Sequence, residues 1–367
     1  MYDIGSSVRF DAVRRRMCER QVDALVLAPK SDLAWLLPGV DVLYTDRPCM
    51  LFVSRHRAAM VMPGFEVPEF ASQVSGIEMF GWNDREGPEA AVAGALASLE
   101  VGDGPVVAAD DDLPFRYLKH LLPLLGAQPR SGSDVIGPLR LVKDKEEIEA
   151  LQVAADLVSD AVDHAIEVAQ IGMTERELQG EISAFLRLRG SGSADYMVVA
   201  FGPNAAQPHH VADDTVLAGG SAVLFDIGVE YRGFWADMTQ QVHFGQPSEE
   251  YARAYAAVQE AQDAAFAAAV VGHDIGALCR ASNEALVRNG YRENTRVGHG
   301  IGLDVHEAPS LVPDAAAPLE AGLVVTLEPG VYLPGRFGIR IEDMVVAGQD
   351  GPRRLTRAPR PIAVKHA

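Results

Sequence analysis

Four acidic residues occupy positions where an acid is costly. Asp226 lies in AVLFDIG, Asp237 in GFWADMT, Glu328 in VVTLEPG and Glu342 in IRIEDMV, each inside an apolar, strand-like run. A carboxylate in such a run is unfavourable unless it is paired or bound to a cation. The intervening turns sharpen the reading. A two-residue turn at Tyr231-Arg232 would set Asp226 opposite Asp237, with Cβ atoms about 4.5–5.5 Å apart. A turn centred on Gly335 in LPGRF would set Glu328 opposite Glu342. Carboxylates that close repel unless they share a proton or a cation.

Histidines gather in the same part of the chain: His209, His210, His243, His299 and His306. Carboxylates with imidazole suit divalent ions such as Mn²⁺, Co²⁺ or Zn²⁺. Two such ions about 3.5–4 Å apart can hold a bridging hydroxide and polarise a carbonyl. His299 sits in GHGIGLDVH, where flanking glycines permit close backbone approach. His306 in the same motif and His209 in QPHH are candidates to contact the oxygen of a tetrahedral intermediate. His210 and His243 read as structural. His56, His120, His164, His273 and His366 read as satisfied surface or core residues.

The elements that must position these residues form an α+β pattern. Ile148, Leu151, Ala155, Val158, Val162 and Ile166 recur at intervals of three and four and predict a helix with one apolar face. Thr174 and Glu177 form a capping box opening a helix that runs to Leu188. Two more helices are predicted over 249–270, started near Ser248, and over 275–288, capped by Asp274 and closed by Asn289-Gly290. Strands are predicted over 197–201, 222–229, 234–244, 323–331 and 339–346. Residues before 128 read as α/β. Helices are predicted over 10–19, 89–99 and 113–125, with a short one capped by Ser31-Asp32. Strands are predicted over 22–28 and 105–109, with a hairpin over 49–53 and 58–62. The stretch 128–137 is rich in turn formers and marks a boundary, so the expected domains are 1–136 and 137–367.

Composition narrows the function classes. At 367 residues the chain is long enough for two domains. Its net charge of −19 argues against a partner nucleic acid or an anionic membrane surface. No apolar stretch is long enough to span a bilayer, and no secretory signal is evident. Cys18, Cys49 and Cys279 lie far apart without a CxxC, which speaks against a thiolate zinc site or a disulfide framework and for a reducing cytoplasm.

The order and spacing of the five candidate ligands resemble the metal-dependent pita-bread peptidases, which include methionine aminopeptidase, aminopeptidase P and prolidase. The resemblance rests on PHH at 208–210, DIG at 226–228, the aspartate of ADMT at 237, GHGIGLDVHE with histidines at 299 and 306, LEPGVY at 327–332 and RIED at 340–343. LRLVKDKEEIEAL at 139–151 also looks like the entry helix of the prolidase and aminopeptidase P branch. The resemblance implies a C-terminal pita-bread fold, a curved antiparallel sheet covered by helix pairs. A smaller α/β creatinase-like domain would precede it. Asp226 would then chelate one metal ion, and Asp237 and Glu342 would bridge two. His299 and Glu328 would complete the second ion's ligands. Glu328 would also carry the proton from the attacking hydroxide to the leaving nitrogen. His209 and His306 would bond the substrate and the developing oxyanion, and Arg340 would orient the bridging carboxylates. Two divalent ions, Mn²⁺ first and Co²⁺ or Zn²⁺ as alternatives, are the implied cofactors.

The implied activity is hydrolysis of Xaa-Pro bonds, in dipeptides by preference, by a cytoplasmic homodimer acting on small peptides. Alternatives are an aminopeptidase P acting on longer peptides, a same-fold hydrolase or lyase of a small non-peptide substrate, and a non-catalytic binding protein of the same fold. Two positions depart from the prolidase pattern. Thr295 stands where such sequences carry a substrate-touching histidine. Ser310 stands where many carry an arginine for the dipeptide carboxylate.

Overall fold

The computed structural model describes residues 1–42, 46–192, 196–357 and 362–365. His366 lies outside the described residues. The chain forms two compact units, Met1–Arg140 and Leu141–Ala367.

The first unit is built on a six-stranded mixed sheet in the order Glu78–Trp82, Ala58–Pro63, Met50–Ser54, Ala24–Leu27, Val107–Ala109, Arg130–Ser131. The three strands Ala24–Leu27, Met50–Ser54 and Ala58–Pro63 are buried along their whole length. That explains their continuous apolar sequence, since a sheet covered on both faces has no polar side to alternate with. The helix Val67–Gln73 and the edge strand Glu78–Trp82 carry no such signal. The helix is short with a proline in its first turn, and the strand is half exposed. Residues 133–137, read as part of a turn-rich boundary, instead begin the helix Ser133–Leu141, where Val135 and Ile136 are buried. Asp32 does not cap the short helix Ser31–Leu36; Lys30 occupies the cap position, and Asp32 pairs with Arg140 at 2.6 Å.

In the second unit the helix Lys145–Val168 opens with a reciprocal capping box between Asp144 and Glu147. Its face of Leu151, Ala155, Val158 and Val162 packs against the hairpin strands Ala222–Tyr231 and Phe234–Phe244. The capping box at Thr174 and Glu177 opens the helix Glu175–Leu188. The helices Glu249–Ala268 and Gly276–Arg288 pack on each other. Ser248 caps the first. Asp274 does not cap the second: Ile275 holds that position, and the Asp274 carboxylate is taken by Arg280 at 2.7 and 2.9 Å.

The strands fall into a four-stranded sheet, a five-stranded sheet and a two-stranded hairpin. The first hairpin corrects the expected register. Its turn is Arg232-Gly233, not Tyr231-Arg232, and both turn residues have positive φ, 52° and 85°. A tight two-residue hairpin turn of this kind needs φ > 0 at both central positions, and a glycine accepts that readily where tyrosine does not. Moving the turn by one residue shifts the pairing by two, so Asp226 stands opposite Thr239 and Asp237 opposite Gly228. A shift of two preserves the face. The two aspartates therefore remain on one side of the sheet as diagonal neighbours.

The second pair of strands follows the register set by the Gly335 turn, with Leu333 opposite Phe337, Gly330 opposite Arg340 and Leu327 opposite Asp343. Each predicted strand is broken in two. The ladder lapses at Glu328-Pro329 and at Ile341-Glu342, between Val324–Leu327 and Gly330–Leu333 on one side and Phe337–Arg340 and Asp343–Val346 on the other. At the break the Glu328 amide donates to Val297 O at 2.8 Å and the Glu342 amide to Thr239 O at 3.1 Å. The backbone that carries the two glutamates is thereby tied to the strand of Asp237 and to the approach to His299.

Candidate metal centre

A cavity of about 390 Å³ opens in the second unit, and Asp226, Asp237, His299, Glu328 and Glu342 all line it. Their side chains converge as two triads. Ligand atoms of Asp226, Asp237 and Glu342 lie within 4.8 Å of one another, and so do those of His299, Glu328 and Glu342. Glu342 belongs to both triads. Asp237 also groups with His299 and His306. Asp226, Asp237, His299 and Glu342 are buried, and Glu328 is partly exposed.

Each of the four acids has one buried oxygen without a hydrogen-bond partner: Asp226 Oδ1, Asp237 Oδ1, Glu328 Oε1 and Glu342 Oε1. Some of the remaining oxygens are held. Thr239 Oγ1 donates to Glu342 Oε2 at 2.7 Å, and Arg340 donates to Asp226 Oδ2. Arg340 is itself fixed by Thr239 Oγ1 at 3.1 Å and by the Tyr332 hydroxyl at 2.8 Å. His299 Nδ1 faces Gly300 O at 3.0 Å. A carbonyl only accepts, so Nδ1 carries the proton and the Nε2 lone pair is free for a ligand. Nε2 lies 3.4 Å from Glu328 Oε1.

The electrostatics follow from burial. Burial, then Glu342 and Asp226, push the Asp237 carboxyl well above the usual carboxylate range. Burial, then Glu328 and Asp226, do the same to Glu342. Burial pushes Glu328 up to about 7, against the opposing pull of Arg340. Burial pushes His299 down to about 3, so its imidazole is neutral. Three carboxyls that resist ionisation, Asp237, Glu328 and Glu342, lie beside Asp226 and a neutral imidazole, and each of the four acids has an oxygen without a hydrogen-bond partner; this set fits hard divalent cations.

Comparison with known proteins places the chain in a family. Residues 149–349 match metallopeptidase family M24, and residues 9–142 match the creatinase/prolidase N-terminal domain. The probable dipeptidase PepE of Mycobacterium tuberculosis is 31% identical over 93% of this chain and 91% of its own length. A prolidase structure from Thermococcus sibiricus superposes with a TM-score of 0.90 at 31% identity, covering 98% of both chains. A dipeptidase structure from Pyrococcus horikoshii gives 0.91 at 29% identity, over 98% of this chain and 100% of that one. The chain belongs to metallopeptidase family M24. It is a peptidase of the prolidase branch, with the family's creatinase-like N-terminal domain and pita-bread C-terminal domain, and family membership implies divalent metal ions.

Around the centre of this M24 peptidase, His209 and His306 line the cavity on exposed loops. The His306 ring stands edge-on to His299 with centroids 4.2 Å apart, and its Nε2 lies 3.4 Å from the Tyr196 hydroxyl. Burial, then Arg296, lowers its pKa. His210 points elsewhere, into Glu175 at 2.6 Å. His243 Nδ1 bonds Gly245 O at 2.8 Å. His56, His120, His164 and His273 do not line the cavity. Thr295 does, whereas Ser310 pairs with His299 in a strand without lining it.

Sequence reasoning missed Thr239, Tyr332, Tyr196 and Arg296. Thr239 would have been found with the correct hairpin register, because it stands opposite Asp226. Tyr196 lies over Gly228, where an added Cβ would come within 2.8 Å of its ring. No local pattern signals that contact. Glu307, next to His306, is paired with the buried Lys143 of the entry segment.

Proposed function

We propose that this M24 peptidase hydrolyses Xaa-Pro dipeptides at a centre of two divalent ions, with Mn²⁺ the expected metal and Co²⁺ or Zn²⁺ as alternatives. The observation that carries the reading is the set of four carboxylate oxygens without hydrogen-bond partners, on acids that line one cavity together with His299. In this reading Asp226, Asp237, His299, Glu328 and Glu342 would hold the ions. When bound, such a pair lowers the pKa of a water and polarises a carbonyl.

The chain's own residues do the rest. Glu328, with a pKa raised to about 7, takes the proton of the attacking water and returns it to the leaving proline nitrogen. His209 and His306 bond the substrate and the oxyanion of the tetrahedral intermediate. Arg340 fixes Asp226 directly and Glu342 through Thr239. The relatives named prolidase and dipeptidase support the substrate class. A proline nitrogen lacks the N–H that general peptidases grip, so a centre that acts through the carbonyl suits it. We take the enzyme to be a cytoplasmic homodimer with functional domains 1–136 and 137–367.

The test is a Mn²⁺-supplemented assay of Ala-Pro, an Xaa-Pro-Yaa tripeptide and Ala-Ala. Ala-Pro should be cleaved fastest. Equal or faster cleavage of Ala-Ala removes the proline assignment, and a tripeptide preference moves the enzyme to aminopeptidase P.

A further inference from the structure

The cavity is strongly acidic, yet a dipeptide brings a carboxylate of its own into it. Along the backbone, three bonds separate the scissile carbonyl carbon from the C-terminal carboxylate carbon, a span under about 4.3 Å. The group that receives this carboxylate must therefore lie beside the reacting centre. Among the described residues lining the cavity, Arg296 and Arg340 carry a permanent positive charge. Arg340 is buried and already engages Asp226, Thr239, Tyr332 and Pro208 O. Arg296 differs. Its side chain is 43% exposed, and its nearest acidic partner, Glu328 Oε1, is 3.7 Å away, beyond hydrogen-bond range.

We propose that Arg296 docks the C-terminal carboxylate of the substrate, and so gives this enzyme its preference for dipeptides. The inference rests on the dipeptide reading above. Its geometry is specific: a guanidinium next to Glu328 stands one residue from the cleavage point, within reach of the carboxylate of a dipeptide. A longer peptide has a neutral amide there and forgoes the pair. A planar guanidinium can take a carboxylate through two parallel N–H bonds, which an ammonium cannot reproduce. With Ser310 outside the cavity, Arg296 is the described residue suited to this task.

The experiment compares Ala-Pro with Ala-Pro-amide in wild type, Arg296→Ala and Arg296→Lys, with Mn²⁺ present. Arg296→Ala should raise KM for Ala-Pro roughly tenfold or more, leave its kcat within about threefold, and move KM for the amide by less than about twofold. Arg296→Lys should recover part of the loss. If the substitution changes acid and amide substrates alike, Arg296 acts only on Glu328 and the proposal is overturned. A readout free of turnover comes from calorimetry. Free L-proline should bind wild type more tightly than L-prolinamide, and that advantage should vanish in Arg296→Ala; its survival also overturns the proposal. Failure of the proline reading looks different. Ala-Ala would then match Ala-Pro in wild type, and the role of Arg296 would be read from Ala-Ala against its amide.

Discussion

Among the described residues of the second unit, two clusters of acid and histidine behave in opposite ways. One is the centre of Asp226, Asp237, His299, Glu328 and Glu342. The other joins Glu175, His210 and Asp213, whose ligand atoms also lie within 4.8 Å of one another. In the second cluster Glu175 accepts from Phe201 N at 2.8 Å, Asn204 Nδ2 at 3.0 Å and Asp213 N at 3.0 Å, besides facing His210 Nε2 at 2.6 Å. Its oxygens are satisfied by the protein. In the first cluster each acid keeps a buried oxygen with no partner. Residue type and proximity do not separate a structural cluster from a metal centre; satisfaction of the polar atoms does.

The largest test of this contrast is Asp237→Asn. It should lower kcat by at least about a thousandfold, as expected when a group acting in the transition state is lost, and reduce bound metal. Metal analysis beside steady-state kinetics checks both. Full metal occupancy in this variant would break the assignment of Asp237 as a ligand.

Glu175→Gln should do the reverse. It weakens a buried hydrogen-bond network, so stability should fall by about 1–3 kcal/mol, while metal content per folded molecule stays at the wild-type level. Chemical denaturation and metal analysis together decide it. A loss of metal without loss of stability would erase the distinction between the clusters.

The smallest effect is a pH dependence confined to the metal-free state. Glu328 has its pKa raised from 4.5 to about 7 by burial, and Asp237 and Glu342 are also raised. A carboxyl with a raised folded pKa binds more protons folded than unfolded. Its contribution is complete below the unfolded value and is lost as pH rises through the folded one. Metal-free protein should therefore lose a few degrees of Tm between about pH 5 and pH 7.5, whereas metal-loaded protein should be flatter, because the cations replace the protons. Parallel melting curves with and without chelator measure this. Equal slopes would mean that the acids are not stabilised by a cation.

Much of the site was legible because the signal is chemical. Acids inside AVLFDIG, GFWADMT, VVTLEPG and IRIEDMV are anomalies that need no structure to notice. The helices Lys145–Val168 and Glu175–Leu188 were legible through caps and apolar spacing, which are local. The hairpin register was misread by one turn residue, because Tyr231-Arg232 and Arg232-Gly233 differ only in where positive φ falls, and glycine decides that. The two long predicted strands were broken at Glu328 and Glu342 by hydrogen bonds to Val297 and Thr239, which are remote in sequence. Local pattern carries no trace of such bonds.

By itself, then, the sequence determined which residues could hold metal and which elements would carry them, since residue chemistry, caps and periodicity act over a few positions. The tertiary structure alone decided that the two hairpins and the His299 segment meet at the ladder break, and that His210 is spent on Glu175 while His209 faces the cavity. It also left Arg296 beside Glu328 at 3.7 Å, beyond hydrogen-bond range, with a partly exposed side chain. These are questions of which polar atoms find partners across the fold, and only the packed chain answers them.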